Sequence, residues 1–202
     1  MMGNFRHVTG AAVLALSSIG AAAQNVVPVQ MTGQPLQYLR DGAVNGCGIR
    51  IIAVEVADNL STEASEVSVN LYDGGRAVVK AIAYAPLARG NQSVKTLKVK
   101  SAWARAPGST ATRALGQTSY GDDNRSLLYA TELMGALAIL QAQVEGKPVQ
   151  ISVQREREER YRVLSGVVPL SLPEQEQLKA CISELVEKMQ RDLSNIPASA
   201  PR

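Results

Sequence analysis

The chain has 202 residues and a formal charge of +3, and its one histidine, His7, lies near the N-terminus. With one tryptophan and 4% aromatic residues it is poorly stocked to stack nucleic-acid bases, and so small a positive charge gives no electrostatic case for a nucleic-acid partner. Residues 1–23 read as an export signal, and its removal takes away the only imidazole. Histidine metal sites and Ser/His or Cys/His nucleophile arrangements are then excluded from the mature chain.

The signal has three parts. Arg6 supplies a short basic region, residues 11–19 an apolar stretch, and Ala21, Ala22 and Ala23 a small-residue cleavage site before Gln24. The apolar part is too short and too diluted by Thr9, Ser17 and Ser18 to span a bilayer, which takes about 20 apolar residues. No cysteine stands at the cleavage point to carry a lipid. The expectation is a periplasmic or secreted protein with no stable membrane insertion after cleavage.

Residues 24–46, with Pro28, Gly33 and Pro35, are expected to be irregular, and residues 47–194 to form one domain. Residues 48–57 are rich in β-branched side chains and predict a first strand, in which Glu55 is the one acid. Residues 65–72 alternate, with Val67, Val69 and Leu71 on one face and Glu66, Ser68 and Asn70 on the other. Asp73, Gly74 and Gly75 then form a hairpin turn into a return strand over residues 76–85. Residues 94–105 predict a fourth strand, placing Leu97, Val99 and Trp103 on one face and Lys98 and Lys100 on the other.

Residues 106–125 predict a long linker with Pro107, Gly108, Gly116 and Gly121. Linkers of this length inside a domain tend to carry function, so Arg113, Tyr120, Asp122 and Asp123 are the candidate partner-binding residues. A helix is predicted over residues 126–145, with Ala130, Leu133, Met134 and Leu137 on an apolar stripe that should pack deeply against the sheet. Residues 149–155 and 161–168 predict a second hairpin, with the charge-neutral run from Arg155 to Arg160 as its solvated tip. A last helix over residues 171–193 starts at a capping box, Ser171 with Glu174, and residues 195–202 are expected to be a disordered tail.

Two cysteines, Cys47 and Cys181, in an oxidising compartment predict one disulfide. The fold class is therefore α+β: a mainly antiparallel sheet built from hairpins, packed by two helices and closed by one disulfide. No catalytic, metal or cofactor motif is present: the sequence has no nucleophile elbow and no Walker loop. The functional expectation is a non-catalytic domain that binds another envelope or secreted protein. The alternatives are a hydrolase using paired carboxylates, for which Glu55 lacks an identifiable partner, and a carrier of a small apolar ligand.

Overall fold

The computed structural model describes residues 26–56, 62–86, 94–158 and 161–194. The expected signal and C-terminal tail lie outside these described residues, as do Glu159 and Arg160 of the charge run. In chain order the described strands are β1 (Val26–Pro28), β2 (Gln30–Arg40), β3 (Ala43–Val56), β4 (Thr62–Tyr72) and β5 (Arg76–Tyr84). They continue with β6 (Thr96–Leu97), β7 (Val99–Arg105), β8 (Ser119–Tyr120) and β9 (Leu127–Thr131). Helix α1 (Leu133–Val144), strands β10 (Val149–Arg155) and β11 (Val163–Gly166), and helix α2 (Leu172–Ser194) complete the series. The fold is α+β, as the sequence predicts.

Two sheets form. The larger has the order β2-β3-β4-β5-β9-β8, with β6 also pairing to β5, and the smaller runs β1-β11-β10-β7. All pairings are antiparallel except β1 with β11. One face of the larger sheet is covered by α2 over β2 and β3, by α1 over β4, and by the smaller sheet over β4 and β5. Period-two alternation sends Ile49, Ile51, Val67, Val69, Leu71 and Val79 into this interface, all fully buried. Ile151, Leu140 and Leu185 meet them from β10, α1 and α2.

The hairpin of β4 and β5 forms where its alternation predicts, and Gly74 (φ 76°) and Gly75 (φ 73°) hold the left-handed turn that L-residues rarely adopt. The disulfide joins Cys47 on β3 to Cys181 on α2 across 134 positions, with the two Cα atoms 5.9 Å apart. It pins the helix directly to the larger sheet.

Four expectations are corrected. Of residues 24–46, the described ones are not irregular: residues 30–40 form β2, turned into β3 by Asp41 (φ 53°) and Gly42 (φ 79°). Pro35 is tolerated on β2 because it is an edge strand, with only one neighbour to which its backbone must bond. Residues 126–131 are not helical either: β9 pairs with β5, burying Leu127, Tyr129 and Thr131, and the helix starts only at Leu133. The predicted strand over residues 94–105 divides between the sheets, β6 on the larger and β7 on the smaller. Lys100 is an extra residue in β7, so the facing changes by one. Trp103 therefore shares a face with Ser101 and Arg105, opposite Ala104, which is buried in the core. Finally, the stripe expected to pack deeply does so only in part: Ala136, Ile139 and Leu140 are buried and Leu133 and Leu137 partly so, but Met134 is 72% exposed.

Candidate functional site

The 106–125 segment is built into the fold. Buried Tyr129 donates its hydroxyl to the Ala102 carbonyl (3.0 Å) and shares a 2.9 Å hydrogen bond with Thr112 Oγ1, which itself accepts from the Ala104 amide (3.0 Å). Burial pushes the Tyr129 phenol up to about 12. The Thr112 and Leu115 amides donate to the carbonyls of Ala104 and Ala130, so residues 112–115 lie alongside β7 and β9. This cover occupies the free edge of β7, which would otherwise present unpaired backbone.

The four candidate residues within the segment have different surroundings. The Arg113 amide donates to Thr131 Oγ1 (3.2 Å) and its side chain is exposed. Tyr120 pairs with Leu127 at the other end of β9, about 13 Å away at the rise of an extended strand. Its hydroxyl donates to the Val99 carbonyl (3.2 Å), and the Lys98 ammonium stands 5.2 Å from its ring centroid. Asp123 Oδ1 accepts from the Ser126 and Arg125 amides and from the Ser126 hydroxyl, at 2.8 to 3.0 Å. Those donors hold its carboxyl down at about 2. Asp123 thus shapes the turn into β9, and exposed Asp122 is its neighbour. Arg113 is not brought together with Tyr120 and the two aspartates.

Glu55 does have a partner acid. Glu63 lies directly across from it on β4, the next strand in the chain, and the pairing follows from the register of the β3–β4 hairpin. Arg162 Nη1 reaches Glu55 at 3.1 Å and Glu63 at 3.4 Å, while Arg155 Nη1 reaches Glu63 at 2.8 Å and Glu158 at 3.1 Å. Arg155 is only 13% exposed. The charge run is therefore not simply a solvated tip: Arg155, braced by Glu158, ties the end of the β3–β4 hairpin to β10. A second near-buried acid, Glu66, accepts from Arg50 (2.6 Å) and from the Tyr84 hydroxyl (2.7 Å) on the open face of the larger sheet. These carboxylates hold strands together.

The helices present a different surface. Among the described residues, α1 carries no charged side chain, and its sequence L-M-G-A-L-A-I-L-Q-A-Q-V leaves apolar groups on the outer side as well as the inner. Two hollows flank that outer side. One, of about 570 Å³, lies between Leu133, Leu137, Val186 and Met189 and the Gly74–Gly75 turn. The other, of about 510 Å³, lies between Met134, Leu137, Val144 and Ile182. Leu137 lines both, so the two hollows follow one another between α1 and α2 along a helix about 18 Å long. Lys179 and Glu145 stand at one end and Asp192 at the other. The sequence signal for this surface is the absence of charge from α1, which the predicted core stripe had absorbed.

Among the described residues no group of three or more His, Cys, Asp or Glu is placed to hold a metal, and no helix is long and apolar enough to cross a membrane. No family model, curated protein or solved structure matches the chain.

Proposed function

We propose that this chain is an exported, non-catalytic interaction domain, periplasmic or secreted, that seats an amphipathic helix of another envelope or secreted protein in the α1–α2 groove. The observation carrying this reading is the outer side of α1, an uncharged helix with Met134 72% exposed. A helix with a large apolar side chain on its outer side ordinarily has that side covered. A groove about three turns long matches a partner helix with apolar anchors at i, i+4 and i+7, and the charges at its two ends suit a polar rim. Export is supported by the three-part leader and by the Cys47–Cys181 disulfide, a bond that persists in oxidising compartments.

The test places a photo-crosslinking residue at position 134 in the exported, full-length chain, with position 113 as the comparison. The expected result is one protein adduct at 134, mapped to an amphipathic helix of that protein and lost in Leu137→Asp. Self-adducts alone, or adducts equal at both positions, would overturn the reading.

A further inference from the structure

A separate feature lies on the outer face of the smaller sheet. Arg105 on β7, Gln150 on β10 and Ser165 on β11 are direct neighbours across three strands, while the next residues of each strand, Ala104, Ile151 and Leu164, enter the core. Arg105 Nε donates to Gln150 Oε1 at 2.6 Å. The guanidinium carbon also lies 5.3 Å from the Trp103 ring centroid. The hydrogen bond and the aromatic face together restrain the guanidinium.

Three other arginines are hydrogen-bonded to carboxylates, Arg50 to Glu66, Arg155 to Glu63 and Glu158, and Arg162 to Glu55 and Glu63, while Arg125 donates to the Thr96 carbonyl. No carboxylate of the described residues lies within ion-pair distance of Arg105. Its Nη atoms carry four N–H donors in a fork that suits a planar or tetrahedral anion. Beside it is a cleft of about 580 Å³, whose walls are Pro107 and Pro148 from two turns and whose polar groups include Ser109 and Ser165. The A-P-G-S turn, with Gly108 at φ 71°, is fixed by Ser109, whose hydroxyl accepts from the Ala106 amide and donates to the Ala106 carbonyl. Ligand sites commonly fall in this size range.

We infer that this cleft binds a small organic anion, with a carboxylate or phosphate group seated on the Arg105 fork and the remainder between the two prolines. This does not depend on the helix groove.

Trp103 is the only tryptophan in the chain, so its fluorescence reports on the guanidinium beside it. The experiment titrates the oxidised protein with succinate and, separately, with inorganic phosphate, against a sodium chloride blank of equal ionic strength. A saturable change with either anion is expected. Succinate alone would identify a carboxylate ligand and phosphate alone a phosphate ligand. Arg105→Gln should weaken the response at least tenfold with its thermal melt unchanged. Arg105→Lys, which keeps the charge and loses the fork, should also weaken it, and it serves should the glutamine variant not fold. No saturable response to either anion, or an equal response in the variants, would overturn the assignment.

Discussion

Helices α1 and α2 lie side by side over one core, yet they meet water differently. Helix α2 is amphipathic: Leu178, Cys181 and Leu185 face inward, and Lys179, Glu184 and Glu187 face out. Its first turn has a capping box, its side is tied to the β4–β5 turn by Lys188 to Asp73 (2.6 Å), and its middle is bonded covalently to β3. Helix α1 has none of these. Glu132 makes no side-chain cap, no acid lies in the first turn and no base in the last. Backbone bonds around Gly146 (φ 62°) close its C-terminus, and the buried face does the rest. One helix is finished for solvent and the other depends on what packs against it.

The largest effect expected from this contrast is at the disulfide. Closing a loop of 134 positions restricts the unfolded chain by about 4–5 kcal/mol. The double variant Cys47→Ala with Cys181→Ala should therefore melt at least about 8 °C below the oxidised protein in calorimetry. A melting point unchanged by the double substitution would mean that α2 needs no staple and that the contrast between the helices is smaller than drawn.

Next in size are two substitutions within α1. Leu140→Ala removes a fully buried side chain and should cost about 2–5 kcal/mol in denaturant unfolding. Met134→Asp, on the outer side of the same helix, should stay within about 0.5 kcal/mol. Similar losses at both positions would show that the outer side is already packed, and the contrast with α2 would fail.

Local signals made much of this architecture legible. The period of two in residues 65–72 and the Asp73-Gly74-Gly75 turn identify a hairpin without reference to anything distant. The cysteine count identifies the disulfide, and Ser171 with Glu174 marks the start of α2. What was missed depends on non-local pairing. Pro35 and Gly33 look like breakers until β2 is known to be an edge strand. The run from Leu127 to Leu140 suits a helix or a buried strand alike, and only the pairing of β9 with β5 divides it. Lys100 shifts the facing of Trp103 by one residue, and no local pattern marks a bulge. The Arg105–Gln150–Ser165 row is assembled from strands as far apart in the chain as β7 and β10, and the Glu55–Glu63 pair, though within one hairpin, depends on the register of that hairpin.

The smallest expected effect tests how α2 is finished at its start. Both the amide and the hydroxyl of Ser171 donate to Glu174 Oε2, at 2.8 and 2.7 Å. These bonds, the hydroxyl first, hold the Glu174 carboxyl below its usual range. A carboxyl depressed in the folded state contributes stability that is present above its unfolded pKa, about 4.3, and is lost as the pH falls through the lower folded value. Ser171→Ala removes the hydroxyl donor to Glu174 and should lower the melting temperature slightly at pH 7. The difference between wild type and variant should narrow as the pH drops below about 4.3 and the carboxylate is protonated. A difference that stays constant across a pH series of thermal melts would place the serine's contribution outside the capping box. The ionised Glu174 would then not be what distinguishes the start of α2 from that of α1.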